Sequence, residues 1–98
     1  MTKKKYKYCT EIDVLVSDLK IPLSDFIKEI EKTNRHYYTE MNATKKKIIH
    51  YTLEKENRTP IMITLKLLCP DTFGNSNYLR DLVLKFAKKQ LDFRYYSN

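Results

Sequence analysis

The stretch IIHYTLEKENRTPIMITLKLL, residues 48–68, decides the fold class of this 98-residue chain. Apolar residues occupy every second position on both sides of a polar centre: Ile49, Tyr51, Leu53, Ile61, Ile63, Leu65 and Leu67. Such alternation is typical of strands with one buried face. Residues 55–59 are polar enough for a turn, and Pro60 stands where a strand can begin without losing a ladder bond. We therefore predict an antiparallel β-hairpin.

Upstream of the hairpin, the spacing of apolar residues favours two helices. Residues from Ile12 to Leu19 keep a helical spacing as far as about Lys20, with Thr10 as an N-cap. The β-branched pair Val14 and Val16 would fit a strand equally well.

Pro22 ends the first segment and is well placed in the first turn of a second helix. Leu23, Phe26, Ile27 and Ile30 form one apolar stripe, and this helix is expected to end near residues 33–34.

Downstream of the hairpin, a C-terminal amphipathic helix is expected over residues 77–91, with Leu79, Val83 and Phe86 on its apolar side. The prediction is one α+β domain over residues 1–98, with two N-terminal helices, a central hairpin and this last helix. The hairpin would be the wing of a winged-helix-like fold. Residues 1–9 would form a basic arm or an edge strand.

Positive charge is concentrated in particular segments of the chain. The formal net charge is +7, and residues 1–9 carry four lysines and no acid. Residues 10–34 instead hold six acids and three bases, whereas residues 35–59 and 60–98 each hold six bases and three acids. Because net charge determines partners and encounter rates more than fold, the pattern indicates a nucleic-acid partner, DNA or RNA.

The candidate nucleic-acid contacts are basic side chains and two tyrosines on the arm, the hairpin and the last helix. Lysines can neutralise phosphates, and tyrosine rings can stack on bases. The predicted set is Lys3, Lys4, Lys5, Tyr6, Lys7, Tyr8, Lys45, Lys46, Lys47, Arg58, Lys85, Lys88, Lys89 and Arg94. Each cluster also has a structural interpretation: a solvated terminus, charge guarding an edge strand, or cations at a helix C-terminus.

Residues 12–33 have the outline of a helix-turn-helix, but their charges oppose base reading. The outward positions of the second helix carry Asp25, Glu29 and Glu31 beside Lys28 and Lys32. A recognition helix presents basic or amide groups to the major groove. We therefore expect contacts mainly to the phosphate backbone.

No catalytic signature, cofactor motif or close metal-ligand spacing is present, so we predict a non-enzymatic protein without cofactor or metal. The only histidines are His36 and His50. Cys9 and Cys69 are expected to be reduced in an intracellular protein, cytoplasmic or nuclear, although a disulfide between them stays open. No apolar run approaches the ~20 residues of a membrane span.

Residues 48–86 resemble the hairpin-then-helix half of small regulatory N-terminal modules of phages and large DNA viruses, of the KilA-N, Bro-N and Rha kind. The resemblance lies in the hairpin around Tyr51, the strand from Ile61 to Thr64, Leu68-Cys69 and the helix from Asn77 to Phe86 with Arg80. It implies a viral or phage regulatory, nucleic-acid-binding role. The acidic second helix departs from a basic groove-reading pattern.

The alternative prediction is a protein–protein interaction module, an adaptor or inhibitor. Its partner would dock on the acidic helix or on exposed tyrosines at Tyr37-Tyr38 and Tyr95-Tyr96, because tyrosine is frequent at interaction hot spots. A homodimer through residues 77–91 is compatible with either function.

Overall fold

A four-stranded antiparallel sheet forms one layer of the computed structural model, which describes residues 8–40, 47–68 and 75–96. The strands are β1 (Tyr8–Leu15), β2 (Ile49–Glu56), β3 (Thr59–Leu68) and β4 (Arg94–Tyr95). Two helices lie between them in the chain, α1 (Leu23–Glu40) and α2 (Asn75–Phe86), and a single 3-10 turn covers Val16–Asp18. The mixed α+β class is therefore confirmed.

The strand order is β2-β3-β1-β4, and each neighbouring pair is antiparallel. Strands β1 and β2 are consequently parallel to each other with β3 between them, and β3 and β4 are related in the same way across β1. The chain thus consists of two interlocked split β-α-β units, the element order of ferredoxin-like folds. This order does not confirm the winged-helix prediction.

The first predicted helix is wrong, because residues 8–15 form strand β1. Thr10, Ile12 and Val14 are buried at every second position, whereas Leu15, which the helical spacing also placed inside, is exposed. Alternation of period 2 matches a strand, and the β-branched side chains favour it. β1 is also no edge strand, because it pairs with β3 on one side and β4 on the other.

The predicted hairpin is confirmed as β2 and β3. Its turn is tighter than expected: only Asn57 and Arg58 lie between the strands, both with positive φ, at 50° and 68°. Two residues of this conformation suit the right-handed twist of a hairpin. On β3, Ile63, Leu65 and Leu67 are buried as predicted, while Ile61 near the turn is exposed.

Helix α1 is longer than predicted, and α2 is shorter. α1 continues to Glu40 because Asn34 and Tyr37 find buried partners beyond the predicted end. α2 ends at Phe86 because the following residues leave the helix to bond with the segment after β1. There Ala87 forms a bridge with Leu19, and the Lys88 N–H donates to the Asp18 carbonyl.

Both helices contribute to one core on a single face of the sheet. Phe26 and Ile30 of α1 and Leu79 of α2 are fully buried there. The sheet contributes fully buried side chains from its central strands: Ile12, Val14, Ile63, Leu65 and Leu67. Because both helices belong to this core, the other face of the sheet carries none of the described helices. None of the helices within the described residues is long and apolar enough to cross a membrane.

Candidate nucleic-acid interface

The face of the sheet that none of the described helices covers, here called the open face, carries side chains from all four strands. Alternation along the strands puts Glu11 and Asp13 of β1 on this face, opposite Lys66 and Thr64 of β3. His50 of β2 is in register with Lys66 and so belongs to the same face. The open face is therefore polar and charged, in contrast to the apolar face beneath the helices.

Tyr8 lies on the open face because of an irregularity in β1. Its register with β3 shifts between Tyr8 and Thr10, where Tyr8 pairs with Leu68 and Thr10 with Leu67. Such a bulge redirects side chains. Consequently Thr10 points into the core, whereas the Tyr8 ring lies against two open-face residues, His50 and Lys66.

Tyr8, His50 and Lys66 make one group, which we call the Tyr8 cluster. The ring centroids of Tyr8 and His50 are 5.8 Å apart with an edge-to-face inclination of 65°. The Lys66 Nζ lies 5.4 Å from the centroid of the Tyr8 ring, within cation–π range. All three side chains are only half-buried. An aromatic ring, an imidazole and an ammonium group are thus accessible together.

Lys47 is next to the Tyr8 cluster through His50. The distance between the His50 Nε2 and the Lys47 carbonyl oxygen is 3.3 Å, and Lys47 itself is exposed. This contact links the backbone of one predicted hairpin lysine to the Tyr8 cluster. In the sequence, Lys7 directly precedes Tyr8, and Lys46 directly precedes Lys47.

In the other half of the open face, Arg94 is bonded to Asp13 and Glu11. We call these three residues the arginine clasp. The Arg94 Nη1 donates to the Asp13 Oδ2 at 2.9 Å, and the Nη2 donates to the Asp13 Oδ1 at 3.1 Å and the Glu11 Oε2 at 3.2 Å. Thr64 Oγ1 also donates to Asp13 at 2.8 Å. The clasp ties the short strand β4 to β1.

The clasp shifts the protonation equilibria of Asp13 and Arg94. The hydrogen bond from Arg94 holds the pKa of Asp13 below its ordinary value, against the opposing effect of partial burial. The bond to Asp13, and then that to Glu11, raise the pKa of Arg94. With two carboxylates around one guanidinium, this half of the open face offers no surplus positive charge for phosphate.

The predicted contacts on the last helix lie at the opposite end of the molecule from Tyr8. The Lys20 N–H donates to the Phe86 carbonyl, which places the end of α2 beside the segment that follows β1. Tyr8 begins β1, and a strand of that length spans roughly 25 Å. The Lys89 Nζ forms an ion pair with the Asp18 Oδ2 at 3.4 Å, and the Lys85 Nζ lies 5.3 Å from the centroid of the Phe86 ring.

The remaining predicted contacts are also dispersed. Arg58 is exposed in the hairpin turn, at the end of the sheet away from Tyr8. Lys88 is exposed beyond α2, and Arg94 is taken up by the clasp. The other members of the predicted set lie outside the described residues: Lys3, Lys4, Lys5, Tyr6, Lys7, Lys45 and Lys46. Of the described members, Lys47 is linked to Tyr8 through the contact of its backbone carbonyl with His50, whereas Lys85, Lys88 and Lys89 lie near the other end of the molecule.

His50 and Lys66 belong to this site although they were not among the predicted contacts. The alternation of the hairpin could have identified them as residues of the polar face, because His50 and Lys66 occupy the polar positions beside buried Ile49, Leu65 and Leu67. Their proximity to Tyr8 depends on β1 pairing with β3. The helix predicted over residues 10–20 would leave no such pairing.

The groove between α1 and α2 has a cavity of about 360 Å³ but mixed charges. Its lining includes Glu29 and Asp81 together with Lys32 and Lys85. It therefore lacks the single sign of charge that would attract a polyanion. Among the described residues, no three His, Cys, Asp or Glu side chains form a group that could hold a metal ion.

Comparisons with protein-family models, with curated proteins and with solved structures give no match to this chain. The resemblance of residues 48–86 to viral regulatory modules therefore stays a prediction.

Proposed function

We propose that this protein binds single-stranded nucleic acid through the Tyr8 cluster and Lys47 on the open face of its sheet. The observation that carries the proposal is the contact of the Tyr8 ring with both His50 and Lys66 on a face that no described helix covers. Sheets that recognise single strands use accessible aromatic rings for bases and nearby cations for phosphates.

Each member of the site has a distinct role in this proposal. The rings of Tyr8 and His50 offer surfaces on which unpaired bases stack, and stacking tolerates any base because every base has a π face. The ammonium groups of Lys66 and Lys47 neutralise phosphates and release counterions. The arginine clasp limits the footprint, because Glu11 and Asp13 would repel a backbone that crossed to β4.

The overall charge supports the same function. The formal net charge of +7 attracts a polyanion from a distance, and the four lysines of residues 1–9 are joined directly to β1. This arrangement favours backbone contact near the beginning of β1. We thus propose one principal site in place of the three separate contact surfaces expected from the sequence.

The proposal can be tested by fluorescence anisotropy with labelled, mixed-sequence DNA and RNA single strands at low salt. Tyr8→Leu should weaken binding by about fivefold or more, because one stacking contact contributes ~1–3 kcal/mol. Lys66→Gln should flatten the plot of log affinity against log salt by about 0.7, the contribution of one phosphate on a single strand.

Lys88→Gln is the matched control, since it removes one exposed lysine at the far end of the molecule. It alters the net charge as Lys66→Gln does but should leave most of the affinity intact. Undetectable binding at low salt would overturn the proposal. Equal losses of affinity in the Lys66 and Lys88 variants would also overturn it, because they would indicate a diffuse charge effect.

A second candidate function, protein binding, is favoured by a patch between α2 and β4. Leu84 is 58% exposed and Tyr95 is 59% exposed, beside a cavity of about 570 Å³ that Phe93 also lines. Exposed apolar side chains that lie together are typical of interaction sites. By contrast, Tyr37 is buried against Tyr78, with ring centroids 5.3 Å apart, so it is not available as an exposed contact.

The acidic helix supports protein binding less than expected. α1 includes Arg35 and Glu40 beyond the predicted end, and its bases nearly balance its acids, with three bases and four acids. If the patch binds a protein, Leu84→Glu should abolish recovery of that partner from nuclease-treated extract and leave oligonucleotide affinity nearly unchanged. Recovery of the same partner by the variant would rule the patch out.

A further inference from the structure

Strand β2 is one of the two outer strands of the sheet, and part of its outward backbone makes no hydrogen bond to the described residues. The Leu68 N–H donates to the Ile48 carbonyl, so the even-numbered residues of β2 direct their backbone groups toward β3. Ile49, Tyr51 and Leu53 therefore direct theirs outward. No hydrogen bond of the outward groups of Tyr51 or Leu53 to another described residue is present.

The two ends of this outer edge are blocked in different ways. At the start, the Asn34 side chain occupies the outward groups of Ile49, accepting from its N–H at 2.9 Å and donating to its carbonyl at 3.0 Å. At the far end, the β2–β3 register shifts between Glu54 and Lys55, and such bulges disturb a regular edge. The open window is therefore residues 50–54.

In one antiparallel register, the side chains of residues 50–54 in one copy are complementary to those of the same residues in a second copy. With a two-fold axis at Thr52, Tyr51 of one copy faces Leu53 of the other, and both present outward backbone groups. The same register sets His50 opposite Glu54 of the second copy, a basic group against an acid. Tyr51 is 38% exposed and Leu53 is half-buried, so apolar area is available for the contact.

Two neighbouring registers would pair residues of β2 with positions that are already bonded or lie beyond the register shift. An axis at Tyr51 would pair Leu53 with Ile49, whose outward groups Asn34 already occupies. An axis at Leu53 would pair Tyr51 with Lys55, beyond the register shift. Only the axis at Thr52 restricts pairing to backbone groups that are open.

We propose that two copies of this chain associate by antiparallel pairing of their β2 edges about Thr52, which joins their sheets into one of eight strands. The two open faces then lie on the same side. Each dimer accordingly presents two Tyr8 clusters on one continuous surface. The proposal itself depends only on the edge and is independent of nucleic-acid binding.

The register can be tested by disulfide cross-linking with diamide as the oxidant. In the proposed register, Thr52 faces its own copy as a non-hydrogen-bonded pair with Cα atoms about 4.5 Å apart, within disulfide range. Thr52→Cys should therefore give a covalent dimer whose 52–52 link is identified by peptide mass mapping. Glu56→Cys is the matched control, because copies of residue 56 would lie roughly 25 Å apart.

A second variant tests the association without cysteine chemistry. Thr52→Lys places like charges face to face across the axis while its side chain stays on the exposed open face. The dimer dissociation constant from sedimentation equilibrium should rise about two- to fivefold, and circular dichroism should show an unchanged fold. A chain that is monomeric at millimolar concentration would overturn the proposal. So would equal cross-linking of the two cysteine variants, or an unchanged dissociation constant for Thr52→Lys.

Discussion

At the scale of single residues, Asn34 connects helix α1 to the beginning of the hairpin. Its side-chain oxygen accepts from the backbone N–H groups of Ile48 and Ile49 at 3.1 and 2.9 Å, and its amide donates to the Ile49 carbonyl. Asn34 is 6% exposed, so these bonds are shielded from water. A buried polar side chain of this kind fixes the position of a strand relative to a helix, because no apolar residue could satisfy the same backbone groups.

Removing this side chain should be costly. Asn34→Ala leaves buried backbone donors without partners, and we expect a loss of about 2–4 kcal/mol in the free energy of unfolding. The measurement is urea denaturation followed by circular dichroism. Thr39→Ala, an exposed change on the same helix, is the control and should cost less than about 0.5 kcal/mol. Similar stabilities for the two variants would show that Asn34 does not hold the strand.

The arginine clasp makes stability depend on pH. Because Arg94 holds the pKa of Asp13 below its ordinary value of 3.8, the stabilisation from the Asp13 carboxylate is complete above that value. It is lost as the pH falls below about 4 toward the lower pKa of the folded state. The side chains of Asp13 and Arg94 are 39% and 44% exposed, respectively. The contribution of their ion pair to the free energy of unfolding should therefore stay near or below about 1 kcal/mol.

Asp13→Asn should therefore lower stability at pH 7 by about 0.5–1 kcal/mol and flatten the dependence of stability on pH below about 4. Unfolding by urea at a series of pH values measures both effects. Glu31→Gln, a change at an exposed residue of α1, is the control. If the stability of the Asp13 variant depended on pH in the same way as that of the unmodified chain, the role assigned to the clasp would be contradicted.

At the scale of elements, the hairpin and the second predicted helix follow from local patterns, whereas β1 does not. Ile12, Leu15 and Leu19 have helical spacing, but the residues actually buried are Ile12 and Val14, followed by Leu19 after the 3-10 turn. A strand in the middle of a sheet is stabilised by neighbours far away in the chain, here β3 and β4. Such long-range pairing overrides local spacing, and one sequence does not reveal it.

The candidate site was predictable only in part for the same reason. Tyr8 and Lys47 were identifiable as an aromatic and a cation near basic segments. Their association with His50 and Lys66 requires the register of three strands and the bulge after Tyr8. The roles of Arg94 and Lys89 also depended on tertiary structure, because their carboxylate partners Asp13 and Asp18 are distant in sequence.

The strand assignment of residues 8–15 can be tested by two neighbouring truncations. Val14→Ala removes two methyl groups from a fully buried site and should cost about 1.5–3 kcal/mol. Leu15→Ala acts at a side chain that is 45% exposed and should cost less than about 1 kcal/mol. Chemical denaturation of both variants gives the comparison. A helix over residues 10–20 would reverse the order, because Leu15 would then be the buried residue.

At the scale of the whole molecule, the fold separates charges that the sequence groups by segment. Residues Lys47 and Lys66 lie toward the end of the sheet where β1 begins, and residues Lys85, Lys88 and Lys89 lie near the other end. The principal axes of the molecule span 43, 32 and 25 Å, so the two groups do not share a compact footprint. The aromatic rings next to Lys66 are the reason why we propose the first group as the site for a single strand.

The most direct test of this claim is an NMR titration of the ¹⁵N-labelled chain with a short single-stranded oligonucleotide at low salt. We predict that the largest chemical-shift changes occur at Tyr8, His50 and Lys66, with smaller changes at Lys47. The amides of residues 85–89 should move little. Changes confined to residues 85–89, or no changes at saturating oligonucleotide, would contradict the assignment of the open face as the binding site.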